Sequence, residues 1–224
     1  MIHATVAAGK NIKSVVCIER WLTPQVFKFE SCCFIYLISV ILYSQIPNRE
    51  CIGMVLKPQD ILVLLKLAAI GDRSWAYNSL AVELSMSPSE VHSAIKRAIS
   101  ANLAIQKQDM ITPSYRNLEE FIIHGLRYVF VPERGGLLRG MPTGHAAAPL
   151  KEFFVRDGEP PPVWPDPSGE VRGMSFSPLY KSAPKDTRID SDLYELLVLV
   201  DAIRGGQARE RAFAIDEIKK RLAQ

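Results

Sequence analysis

Residues 74–103, SWAYNSLAVELSMSPSEVHSAIKRAISANL, decide how the chain is read. Leu80, Ala81 and Leu84 recur at helical spacing, a break follows at Ser85-Met86-Ser87, and a second helix opens at Pro88. Ser87 and Glu90 fit a capping box: the Ser87 hydroxyl takes the Glu90 backbone N–H and the Glu90 carboxylate reaches back to the Ser87 N–H. Proline at the first helical position gives up an N–H that would have no helical partner there. The spacing predicts a helix over 88–101. Its buried stripe is Val91, Ala94, Ile95 and Ala98, at i, i+3, i+4 and i+7. Ser89, His92, Ser93, Lys96 and Arg97 fall outside the stripe.

Two short helices joined by a tight turn, the second presenting small polar and basic side chains, follow the logic of a helix-turn-helix. Leu80-Ala81-x-x-Leu84, the Ser-Met-Ser turn, and Val91-x-x-x-Ile95-Lys96-Arg97 followed by Asn102-Leu103 resemble the winged-helix core of MarR-type bacterial transcription regulators over about residues 57–112. Family members usually carry Gly where this chain has Asn102, and Asn is the next-best residue for a left-handed helix end. The resemblance implies a dimeric regulator of double-stranded DNA. On that reading Ser89, His92 and Ser93 approach base edges, Lys96 and Arg97 serve phosphate or guanine, and Lys107 touches phosphate from the wing.

Around this core, Pro58–Ile70 predicts a helix that is apolar almost all round and therefore central, ended by Gly71. Ser74 is expected to cap the next helix, with Trp75 as a core anchor. Residues 104–113 are where a winged helix places its hairpin; they lack a Gly-rich turn, so any wing is short. Thr112-Pro113 is expected to open a helix running to about Phe130, with Leu118, Phe121, Ile122, Gly125, Leu126 and Val129 as its apolar stripe. Residues 132–190 are dense in Pro and Gly and read as loop and short strand. Val163-Trp164 and Val171–Phe176, joined through 166–169, are expected to pair as a small β-hairpin. Arg139–Leu150 suggests a binding loop through its glycines and His145, without any phosphate-loop spacing. Residues 191–224 predict a helical pair. The first is capped by Asp190 or Ser191, with a stripe wide enough for burial on two sides, within the fold or between subunits. The expected fold is mainly α: a winged helix over 54–131, the loop-rich segment 132–190 and the C-terminal helices.

Residues 1–53 differ in character. All four cysteines, Cys17, Cys32, Cys33 and Cys51, lie there, and their spacing matches no metal pattern. With no signal peptide they read as reduced intracellular thiols. Residues 32–43, CCFIYLISVILY, are nearly all apolar, yet a membrane span needs about 20 such residues. The segment reads either as a buried strand or as an atypical extension ahead of a natural start at Met54.

The composition, 48% hydrophobic and 23% charged, is ordinary for a soluble chain, and a formal charge of +3 is too small to indicate nucleic acid by itself. No Ser/His/Asp arrangement, paired carboxylate or ligand cluster can be assigned, so neither an enzyme nor a cofactor nor a metal is expected. The leading expectation is a cytoplasmic, sequence-specific DNA-binding transcriptional regulator. The alternative is a protein-interaction module or antitoxin-like partner built on a winged helix. For that alternative, 131–190 has a general likeness to small bacterial regulators paired with nucleotidyltransferase-type toxins.

Overall fold

The computed structural model describes residues 55–107, 110–154 and 158–223; the expectations for residues 1–53 lie outside them. The described residues are mainly helical, with two small sheets.

Helix α1 (Pro58–Ile70) is buried from Asp60 through Ala68, as its apolar circumference requires. Gly71 ends it with φ +63°, its N–H on the Leu67 carbonyl at 3.0 Å. Helix α2 (Tyr77–Glu83) starts later than expected. Ser74 is not its cap: Ser74 and Trp75 stay outside the helix, and Trp75 packs edge-on against Tyr77, ring centroids 5.3 Å apart. Ser79 does the capping from within, accepting the Ala76 N–H at 3.2 Å and donating to the Ala76 carbonyl at 2.8 Å. At the other end Ser85 takes a left-handed φ of +49°, and the Met86 N–H reaches back to the Ala81 carbonyl at 2.9 Å. That is a Schellman ending built on serine rather than glycine.

Helix α3 (Pro88–Ser100) has the expected box: Ser87 N–H donates to Glu90 Oε2 at 2.8 Å, and Glu90 N–H donates to Ser87 Oγ at 3.3 Å. Val91, Ala94, Ile95 and Ala98 are its buried residues. Asn102, at φ +59°, sits where glycine was the expected family residue, and the Leu103 N–H closes the ending on the Ala98 carbonyl. Strands β1 (Ala104–Lys107) and β2 (Met110–Pro113) then pair antiparallel, Ala104 opposite Pro113 and Lys107 opposite Met110.

Thr112 and Pro113 therefore belong to a strand, and the next helix opens only after Ser114. It is interrupted. Helix α4 (Tyr115–Glu120) passes through a π-helical turn (Phe121–Gly125) into α5 (Leu126–Val129). The Leu126 N–H bonds the Phe121 carbonyl five residues back. The extra residue rotates the final turn: Leu118, Ile122 and Leu126 are buried, but Val129, expected in the stripe, is 53% exposed.

The Pro/Gly-rich segment, expected as loop and short strand, holds a nine-residue strand, β3 (Arg134–Pro142). Strands β4 (Pro162–Pro165) and β5 (Val171–Phe176) do not form a hairpin. Both run antiparallel to β3 and parallel to each other, and the three close on themselves as a small barrel. The crossing is made at Gly140, which pairs with both Pro165 and Val171. A Cβ on Gly140 would sit 2.0 Å from the Trp164 carbonyl oxygen, so only glycine allows the approach. A short helix, α6 (Ala183–Asp186), leads to α7 (Ser191–Gly205) and α8 (Ala208–Leu222).

Helix α7 is buried at Leu193 and from Leu196 through Arg204. Its wide stripe is covered within the fold, by α1 on one side and by α5 and α8 on others. A single apolar cluster runs from α1 to α8. Inside it lies a polar hub. Asp201, 2% exposed, accepts from the Thr143 hydroxyl at 2.8 Å, the Trp164 indole N–H at 2.6 Å and Arg204 at 2.7 Å. Arg204 also donates to the Phe130 carbonyl at 2.8 Å. Burial pushes the Asp201 carboxyl up, while Arg204 and the two neutral donors work against that shift. The hub ties β3, β4 and the end of α5 to one helix. Among the described residues no helix is long and apolar enough to cross a membrane.

Candidate nucleic-acid interface

Helix α3 is fixed by its cap, by the stripe against α1 and by one ion pair. The cap also sets a charge: the Ser87 backbone N–H, then its hydroxyl, hold the Glu90 carboxyl below its ordinary range. The anion thus sits in the first turn, where the helix dipole favours it.

Of the six residues predicted to meet DNA, Ser89, His92, Ser93 and Lys96 are all exposed and share the face opposite the buried stripe. The Ser89 hydroxyl lies 3.1 Å from that of Ser87, and the His92 ring centroid is 5.7 Å from Tyr77, a contact between α3 and α2. Lys107 is exposed at the end of β1, a strand that packs beside α3. Its strand partner Met110 is 55% exposed and Ile105 is 44% exposed, so apolar side chains stand beside Lys107 on these strands.

Arg97 is the correction. It was expected to point outward, yet its side chain is only 14% exposed and its guanidinium is taken up by Asp60, Nε to Oδ2 at 2.8 Å and Nη2 to Oδ1 at 2.6 Å. Asp60 is fully buried, and its Oδ2 also accepts the Lys57 N–H at 2.8 Å. The reason lies in the spacing. Arg97 follows Ala94 by three residues, at the edge of the stripe, and a long side chain there folds inward to a buried acid. A bidentate arginine already satisfied by a carboxylate has no fork left for guanine. Arg97 instead holds α3 against the start of α1. Asp60, which the sequence alone did not single out, is therefore a positioning residue. Its only signal was an acid at the third position of a helix opened by proline.

The expected binding loop around His145 is a strand end followed by a single 3-10 turn, Gly144–Ala146, with His145 Nδ1 3.5 Å from Glu210 Oε1. Among the described residues no three His, Cys, Asp or Glu side chains gather in a way that could hold a metal. No protein-family model, no curated protein and no solved structure matches the chain.

Proposed function

We propose that the chain is a sequence-specific DNA-binding transcriptional regulator, acting in the cytoplasm as a homodimer, in which residues 58–113 work as a winged helix-turn-helix. Helix α3 enters the major groove. Ser89, His92 and Ser93 meet base edges, Lys96 meets phosphate, and Lys107 touches the backbone from a short wing. One observation carries the reading. A capped helix, clamped to its scaffold by Asp60–Arg97, presents a row of small polar and basic side chains to solvent on the face away from the core.

The test is to select genomic fragments on the full chain and to titrate salt against the bound ones. Contacts to several phosphates make log K fall linearly and steeply with log salt. Affinity that ignores salt contradicts the reading. A second reading, a winged helix that docks a partner protein as an antitoxin does, is favoured by the exposed Ile105 and Met110 on the hairpin. A wing for phosphate has no use for apolar surface there.

A further inference from the structure

Two strands of the small barrel carry an unmatched charge. In the antiparallel pair of β3 and β5, Arg139 stands opposite Arg172 and Leu137 stands opposite Met174. Opposite residues of such a pair lie on one face with Cβ atoms about 5 Å apart, and like charges placed so repel. All four residues are exposed, Leu137 by 53% and Met174 by 40%.

The other face of the same strands is closed. Gly140 and Gly173 are buried there, and a Cβ on Gly173 would sit 2.0 Å from the Pro161 carbonyl oxygen, where the chain enters β4. No acid of the chain answers the two arginines. The Asp166 N–H donates to the Arg139 carbonyl at 3.3 Å, but the Asp166 carboxylate is taken by Arg188 and by the Ser168 N–H. Glu170 precedes Arg172 by two residues, yet among the described residues neither it nor any other acid forms an ion pair with Arg139 or Arg172. Two guanidiniums thus stand side by side at a cost in repulsion. What the pair lacks is an anion whose oxygens match its planar forks.

The apolar pair decides what carries that anion. Leu137 and Met174 lie two residues along their strands, about 7 Å from the arginines. A nucleic acid held by the arginines would place bases there, and bases stack on aromatic rings. Neither position is aromatic. An extended peptide with a carboxylate and an apolar side chain two residues apart has the matching spacing. Met also adapts its shape to varied apolar partners.

We propose that the outer face of β3 and β5 docks an extended segment of a partner protein in which acidic and apolar residues alternate. Its carboxylates meet Arg139 and Arg172, and its apolar side chains cover Leu137 and Met174. The proposal is independent of α3 and stands whether or not the chain reads DNA.

The test titrates the full chain with the peptide Gly-Asp-Leu-Asp-Leu-Asp-Gly, both ends blocked, and follows the backbone amide signals by NMR. Its neutral counterpart, with Asn for Asp, and a thymidine octanucleotide are titrated alongside. The acidic peptide should bind at millimolar concentration and shift the amides of 137–139 and 172–174, and the Asn peptide should bind at least about tenfold more weakly. Arg172→Gln should weaken the acidic peptide about tenfold without lowering the melting midpoint, because it relieves repulsion in the free chain. Arg139→Gln repeats the test on the other strand. Met174→Ser should weaken both peptides several-fold and leave the salt dependence of the acidic one unchanged. No binding of the acidic peptide, equal binding of the Asn peptide, shifts confined to other residues, or full binding by both arginine variants overturns the site. A lowered melting midpoint in both arginine variants also overturns it, because the pair would then serve the fold. Tighter binding of the octanucleotide through the same residues overturns the protein partner in favour of a nucleic acid.

Discussion

Two regions among the described residues are held together by different kinds of chemistry. In residues 77–103 almost every fixing interaction is local: the Ser79 and Ser87 caps, and two left-handed endings at Ser85 and Asn102. Residues 131–205 are fixed by groups far apart in sequence. Asp201 receives its donors from Thr143 and Trp164, 58 and 37 positions away, and Arg204 closes the end of α5 from 74 positions away. The first region presents a face to solvent. The second puts its polar chemistry inside, where a missing partner is expensive.

The contrast is broken most severely at the hub. Asp201→Ala leaves a buried guanidinium, an indole N–H and a hydroxyl without their acceptor, and should cost about 3–5 kcal/mol in urea unfolding. A loss under about 1 kcal/mol, the size of an ordinary surface change, would show that the hub is not what holds the second region. Asp60→Ala removes a long-range polar link of the first region, its bidentate pair with Arg97. It should cost less, about 2 kcal/mol, because Arg97 is near enough to the surface to reach water. It should also weaken DNA binding although Asp60 touches no DNA, whereas an unaltered affinity would mean that α3 keeps its place without the clamp.

Smaller effects sharpen the local side. Ser87→Ala should cost about 1 kcal/mol through the lost cap, and an unchanged melting midpoint would show that Pro88 and the stripe define the helix start by themselves. The least effect is read from the slope of the stability curve in acid. Burial opposes the charge on Asp190, but the Leu193 N–H and Lys66 outweigh it and hold the carboxyl below its ordinary range. A carboxylate with a lowered folded-state pKa lends stability above the usual value of about 3.9 that is lost as pH falls through the folded value. Asp190→Asn should therefore flatten the acid limb of the stability curve and leave its slope near neutrality unchanged. A mutant that tracks the wild type down to low pH would remove Asp190 from that account.

The same contrast explains what the sequence disclosed. Capping boxes, stripes and turn endings act over three to seven residues, so the Ser87 cap, the α3 stripe and the left-handed Asn102 were legible. The direction of Arg97 was not, because it depends on Asp60, 37 positions earlier. The helix after Ser114 has a regular pattern, and nothing in its residue types announces the extra residue of a π turn. The hairpin expected over 163–176 fails because its pairing is not local. The loop residues Asp166, Ser168 and Gly169 are turn-formers, and Asp166 does accept the Ser168 N–H. Yet what the turn connects is decided by β3, which neither stretch encodes. The candidate DNA face was legible down to four residues on one helix; the acid that positions that helix was not.

The central claim is that the exposed row on α3 reads DNA, and Lys96→Ala measures it most directly. The substitution removes a solvent-exposed charge and should leave melting unchanged. Binding to a selected genomic fragment should weaken, and the slope of log K against log salt should flatten by about one unit. Ser93→Ala, measured alongside, should alter preference among fragments by about 1–3 kcal/mol at one base pair and leave the salt slope as it was. A folded Lys96→Ala protein that binds the fragment as tightly as wild type, with the same slope, would contradict the account and give precedence to the partner-docking reading.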